Sequence, residues 1–244
     1  MKTVILAAGI SARLRPITNN LPKCLIKLGG KTILERMIDN LLYYDLKEII
    51  IVTGYLQDQI KNFIAERYPN LSVTYVFNEK YEATNNIYSL WLTKDFVKNE
   101  DMLMMDSDIL FDKRILGLLI NSNYPSCLAL RTDHELSEEE IKVKLNNDKS
   151  ITEISKTVDL KHAAGESIGI EKFSSDFTLK LFDILDRKIL TEKKVNIFYE
   201  AAFEDAINDG WKIFAVDIGE LKCIELDFAE DLEKANKEVI QYLD

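Results

Sequence analysis

One basic loop and two short acidic motifs hold most of the chemistry that this sequence can perform. The loop LAAGISARLRPITNNLPKCL (residues 6–25) gathers Gly9, Arg13, Pro16, Thr18, Pro22 and Lys23 in a single stretch. A glycine at that point lets the chain turn so that successive N–H groups face an anion, and Leu6, Ala7 and Ala8 lead into the turn. Arg13 can fork two phosphate oxygens, and Lys23 adds a second permanent cation. The two prolines restrict a loop that would otherwise be costly to order. Together these residues suit a triphosphate. The acidic motifs complement them. In MDSDI (105–109) Asp106 ends an apolar run and Asp108 follows two residues later, so alternate residues of an extended chain can reach one hard cation. Asp108 is open between direct ligation, ligation through water and capping of the next turn. CIELDFAEDLEKA (223–235) repeats the arrangement, with Asp227 ending a second apolar run. Asp231 and Glu233 fall in the first turns of the helix that follows, where acidic residues suit the dipole without any ligand.

Elements able to position these groups alternate along the first half. KTVILA (2–7), EIIIVTG (48–54) and MLMM (102–105) are continuous apolar runs of the kind buried on both faces of a parallel sheet, and SVTYVF (72–77) is rich in β-formers. Between them the spacing predicts helices after Thr32, with Glu35 at its capping-box position, over 56–67 and over 86–96. Repeated strand–helix units imply right-handed crossovers and a Rossmann-like α/β sheet, whose ligands lie beyond the carboxyl ends of the strands. From about residue 126 the runs shorten. CLALRT, IKVKLN and ITEISK read as strands, the last two joined through NNDKS (146–150) as a hairpin, and ESIGIEKF (166–173) as another. Helices near 174–190 and 199–208, strands in 211–218 and 223–227, and a last helix over 229–242 complete the chain. The expectation is one domain over 1–244, with a nucleotide-binding half (1–125) and a partly β-rich acceptor-binding half (126–244).

Composition narrows the function class. The 244 residues are 47% hydrophobic and 30% charged, with a formal charge of −10. So negative a chain repels phosphate backbones, which argues against a nucleic-acid partner, while a small phosphorylated ligand needs only local cations. The N-terminal run is too short to span a membrane and lacks a signal-peptide cleavage pattern. Cys24, Cys127 and Cys223 are scattered, form no CxxC pair, and with His134 and His162 make no convincing zinc site. These features predict a cytoplasmic protein without membrane attachment, a monomer or homodimer, its cysteines filling the core.

The spacing from Gly9 to Lys23 resembles the signature of the sugar-phosphate nucleotidyltransferase superfamily, which commonly carries a second glycine where this chain has Ser11. The resemblance implies release of pyrophosphate from a nucleoside triphosphate, and one Mg²⁺ held jointly by Asp106 and Asp227. It also implies that Lys156 contacts the acceptor's phosphate and that Glu166 lines the acceptor pocket. NEKYEATNNIYSLW (78–91), with its Asn86-Ile87-Tyr88-Ser89 run, is similar to the subgroup acting on phosphocholine and related amino-alcohol phosphates or phosphonates. That likeness implies CTP as donor, its base read around residues 78–86 with Thr84, Asn85 and Asn86 the candidates. An ammonium-bearing acceptor would want aromatic faces and a carboxylate, for which Tyr199, Glu200 and Tyr88, with Trp91, are candidates. A sugar-1-phosphate nucleotidyltransferase is the nearest alternative. A glycosyltransferase shares the DxD motif but has no need of the Arg13/Lys23 loop.

Overall fold

The apolar runs of the first half do form a parallel sheet. In the computed structural model, which describes residues 1–243, β1 (Lys2–Ala7) lies at its centre, with five of its six residues buried. A two-residue ladder, β2 (Lys27–Leu28) with β3 (Lys31–Thr32), leads into α1 (Ile33–Tyr43). There the expected capping box is present. The Thr32 hydroxyl accepts from Glu35 N–H at 3.0 Å, and Thr32 N–H donates back to the Glu35 carboxylate at 3.4 Å, a device worth about 1 kcal/mol. β4 (Ile49–Thr53), α2 (Gln57–Arg67), β5 (Val73–Phe77), α3 (Asn86–Trp91), α4 (Lys94–Val97) and β6 (Met102–Asp106) follow. β1 pairs in parallel with β4 on one side and β6 on the other, and β4 pairs in parallel with β5. The helix expected over 86–96 is broken at Leu92–Thr93, where the Thr93 hydroxyl donates to Leu90 C=O at 2.7 Å and competes with the backbone ladder.

β7 (Ile109–Phe111) and α5 (Arg114–Ile120) were not legible in advance, being too short for a periodicity to emerge. β8 (Cys127–Arg131), the β9–β10 hairpin (Lys142–Leu145, Ile151–Ser155) and β11 (Gly165–Phe173) match the expected strands. β11 runs antiparallel to β6 on one side and to β8 on the other, and the hairpin joins it through β9. After α6 (Ser175–Asp186) and α7 (Glu200–Asn208), β12 (Phe214–Asp217) adds in parallel to β8, closing a nine-stranded mixed sheet. β13 (Cys223–Glu225) pairs separately with β7, and α8 (Ala229–Lys234) is followed by one wider and one tighter helical turn instead of a continuous helix to 242.

Alternation along the central strands divides the core between the two faces of the sheet. Ile5, Leu103 and Met105 pack with α1, α2 and α5; Val4, Leu6, Met102 and Met104 pack with α3, α6 and α7. All three cysteines are free and buried, as core-filling residues should be. No helix among the described residues is long and apolar enough to cross a membrane.

Candidate active site

Strand order reverses at β1, with β4 to one side and β6 to the other, so the loops leaving the carboxyl ends of β1 and β6 part and leave a crevice. A cleft of about 450 Å³ opens there. Leu6, Ala7, Ala8, Gly9, Arg13, Lys23, Thr84, Asn85, Asn86 and Asp106 all line it, and so does Asp227.

At its centre the basic loop meets both acidic motifs. The Lys23 ammonium, 8% exposed, donates to Asp108 Oδ2 at 2.7 Å and to Asp227 Oδ1 at 2.8 Å. Burial works against its charge, but the two carboxylates outweigh it and lift the Lys23 pKa above the ordinary lysine range. Arg13 reaches the other oxygen of Asp227 at 2.7 Å and stacks its guanidinium over Phe228. Residues 85 and 204 positions from Lys23 in sequence are therefore brought onto one side chain.

The loop achieves this by a path the sequence only partly indicates. Gly9 has no left-handed backbone, and a Cβ built on it would meet nothing within 4 Å. Its role is to leave the cleft open, and the tight turn falls at Ser11. That serine adopts φ 52°, ψ 48°, a conformation that glycine takes at less cost. The turn is held by Thr18, whose hydroxyl donates to Ser11 C=O at 2.8 Å.

The opposite wall follows β5. Asn78 is buried, donates through Nδ2 to Thr84 and Ser89, each at 3.1 Å, and accepts from Lys80 N–H at 2.9 Å. This network stiffens the Thr84–Asn86 segment. Asn86 Oδ1 accepts from Tyr199 N–H at 3.0 Å and so joins this wall to the start of α7.

The expected acceptor residues are dispersed around the cleft and do not line it. Tyr199 is fully buried, packs on Phe203, and donates its hydroxyl to Asp106 Oδ2 at 2.7 Å. Its ring offers no face to a ligand in this arrangement; Phe198, one residue earlier, lines the cleft instead. Lys156 sits 5.2 Å from the centre of the Phe198 ring and 3.5 Å from Glu139. Tyr88 is buried against Trp91, with Lys80 over its ring, because its helical spacing turns it toward the core. Glu166 lies near His134, at 3.3 Å, and Arg131, at 3.9 Å, and burial pushes its carboxyl up to about 7.

Glu200 is 6% exposed, and burial raises its pKa to about 7 against the opposing pull of its backbone hydrogen bond and Lys156. Beside it Glu171, a residue with no sequence signal, is 1% exposed and is pushed well above the carboxylate range by burial and by the charges of Asp106 and Glu200. Asp106 is likewise raised, by burial and by Asp108, although the Tyr199 hydrogen bond opposes the shift. Room for Asp106 comes from Gly169, whose φ is +69° and whose missing Cβ would stand 2.8 Å from Asp106 Oδ2. Any side chain there would displace the aspartate.

The nucleotidyl transferase family model matches residues 2–125, which is half of the chain and contains the loop, the Asn78 wall and both aspartates of MDSDI. The chain belongs to the nucleotidyl transferase family. It is an enzyme of nucleotidyltransferase type, and its likeness to known members extends beyond the matched half. The CTP:phosphoglutamine cytidylyltransferase of Campylobacter jejuni is 28% identical over 254 residues, covering 96% of this chain and 98% of that one. The 2-aminoethylphosphonate cytidylyltransferase of Lancefieldella rimae is 33% identical over 106 residues, 43% of this chain and 42% of that one. Among solved structures, the CTP:phosphocholine cytidylyltransferase of Streptococcus pneumoniae superposes with a TM-score of 0.78 at 27% identity, covering 96% of this chain and 97% of that one.

A divalent metal is implied for this nucleotidyltransferase, and its residues fit one. Single carboxylate oxygens of Asp108, Glu225 and Asp227 lie within 4.8 Å of one another, and Asp108 Oδ1 is buried without a hydrogen-bond partner. Three hard oxygens of this kind suit Mg²⁺. Asp227 thus falls in the group, whereas its expected partner Asp106 borders it, with one oxygen committed to Tyr199. Sequence reasoning passed over Glu225, although it stands two residues before Asp227 as Asp106 does before Asp108. It also passed over Phe198, while Asn78, just beyond the carboxyl end of β5, falls at the edge of the expected 78–86 base-reading segment.

Proposed function

We propose that this nucleotidyltransferase moves CMP from CTP to a small phosphorylated or phosphonate acceptor that carries an amine. The observation that carries the reading is the bridge from Lys23 to Asp108 and Asp227 on the floor of a cleft at the sheet's switch point. The cytidylyltransferase names of the relatives support the base and the acceptor class.

An oxygen of the acceptor's phosphate or phosphonate attacks the α-phosphorus of CTP. The bond from that phosphorus to the oxygen bridging the β-phosphate breaks, and its electron pair leaves with pyrophosphate. The attacking oxygen is already anionic near neutral pH, so the reaction needs no general base. What opposes it is the approach of one polyanion to another, and the residues act by positioning and charge. Lys23 and Arg13 transfer their hydrogen bonds from Asp227 and Asp108 to phosphate oxygens and stabilise the negative charge that builds on the departing group. Asn85, Asn86 and Thr84 hold the cytosine, on a segment stiffened by Asn78. Lys156, next to Phe198, holds the acceptor's phosphate. Asp108, Glu225 and Asp227, with Asp106 beside them, would hold Mg²⁺, which when bound supplies additional positive charge at the phosphates.

Pyrophosphate release with CTP, UTP, dTTP, ATP and GTP, each against amino-alcohol phosphates, aminoalkylphosphonates and sugar 1-phosphates, tests the reading. Turnover confined to CTP and amine-bearing acceptors is expected. Turnover confined to sugar 1-phosphates would overturn it.

A further inference from the structure

We infer that the far end of the acceptor is a primary ammonium group and not a trimethylammonium group, an inference that rests on the cytidylyltransferase reading above. Two independent features of the wall behind Asp106 point the same way.

The first is a set of hydrogen-bond acceptors with nothing to accept. Both carboxylate oxygens of Glu171 and Oε2 of Glu200 are buried without a hydrogen-bond partner among the described residues. The two side chains and Asp106 are close enough for each carboxylate's charge to act on another of the group, with Tyr199 among them. Orphaned buried carboxylate oxygens are expensive, and the group best able to satisfy three of them is one with three N–H donors. A primary ammonium has three. A trimethylammonium has none, and would leave all three oxygens unsatisfied.

The second is a shortage of aromatic faces. Trimethylammonium groups are held by cages of exposed rings. Tyr199 is fully buried and tilted against Phe203. Tyr88 is tilted against Trp91 and faced by the Lys80 ammonium at 5.6 Å. Two rings line the cleft: Tyr81, on the Asn78 wall and paired with Tyr55, and Phe198, whose face already carries the Lys156 ammonium at 5.2 Å. Phe198 is 42% exposed and lines the cleft, two residues before Glu200 in the chain.

The test compares kcat/KM for phosphoethanolamine, 2-aminoethylphosphonate and phosphocholine with CTP, in wild type and in Glu171→Gln and Glu200→Gln. A primary-amine acceptor should be preferred over phosphocholine by about tenfold or more. Each glutamine variant should raise the KM of the primary-amine acceptor severalfold while leaving the KM of CTP unchanged. Measuring both variants, with thermal melts alongside, guards against one of them failing to fold. Phosphocholine used as well as or better than the primary amines would overturn the inference and leave cytidylyl transfer standing, as would acceptor KM values unmoved in both variants. Turnover with sugar 1-phosphates alone would overturn both.

Discussion

The two sides of the cleft handle buried charge in opposite ways. On the proposed nucleotide side Lys23 and Arg13 hold Asp108 and Asp227 at 2.7–2.8 Å, so two cations that line the cleft are kept aligned by internal counter-ions. On the proposed acceptor side, behind the residues that line the cleft, Glu171 and Glu200 are buried with orphaned oxygens, and the hydroxyl of Tyr199 is spent on Asp106. A site for a polyanion can be prepared by cations that rest on exchangeable carboxylates. A site for a cation can be prepared by carboxylates that still lack donors. Under the proposed function, the basic loop is complementary to a polyanion and the buried carboxylates behind Asp106 to a cation, and the contrast can be broken at either end.

The largest effect is expected on the nucleotide side. Lys23→Ala removes the bridging ammonium, and pyrophosphate release should fall by about 10²–10³-fold, the scale seen when one preorganised donor is deleted from a transition-state site. A circular-dichroism spectrum unchanged from wild type would separate this loss from misfolding.

The next effect belongs to the acceptor side and is read in pH. The folded-state pKa of Glu200 is about 7, against an ordinary glutamate value of 4.5. A raised pKa means that the folded protein holds the proton more tightly than the unfolded chain does. The associated stability is therefore complete below the unfolded value and is lost as pH climbs through about 7. At about 1.4 kcal/mol per pKa unit the loss is on the order of 3 kcal/mol. Urea unfolding at pH 5 and pH 8.5 should show it in wild type, and Glu200→Gln should remove its own share of the difference, leaving the part that Glu166, also raised to about 7, contributes.

Tyr199→Phe sits between the two sides. It deletes the hydroxyl that fixes one oxygen of Asp106 and should cost about 1–2 kcal/mol of stability. Because the ring keeps its packing, kcat should fall more than the KM for CTP rises. Titration with Mg²⁺ should show a higher concentration for half-maximal activity, since the carboxylate bordering the Asp108, Glu225 and Asp227 group is no longer oriented. The smallest effect should come from Ser11→Gly. Relief of the left-handed serine is offset by the greater freedom of glycine in the unfolded chain, so the free energy of urea unfolding should change by no more than about 0.5 kcal/mol.

The same contrast explains what could be read from the residues alone. The nucleotide side is built by one contiguous loop and by two acidic strand-tip motifs, each local in sequence and diagnostic by its own spacing, although 85 and 204 positions separate Asp108 and Asp227 from Lys23. The central strands, the capping box at Thr32 and the β9–β10 hairpin were legible because periodicity and turn chemistry are local. The acceptor side assembles Glu171 from β11, Glu200 from α7 and Asp106 from β6, and only tertiary packing brings them together. Local spacing could not reveal that Tyr199 turns inward while Phe198 faces the cleft, because α7 begins at that point and sets which neighbour points which way. β7 and the breaks near Thr93 and Ala235 escaped for a simpler reason: segments of three to six residues are decided by their partners.

Phosphorus NMR of the reaction products tests the central claim most directly. With CTP, Mg²⁺ and 2-aminoethylphosphonate, the account predicts inorganic pyrophosphate together with a new pair of mutually coupled resonances from the phosphate–phosphonate anhydride, both absent with Lys23→Ala. CTP left intact with every amine-bearing acceptor, or split to free CMP and pyrophosphate with no coupled pair, would contradict it.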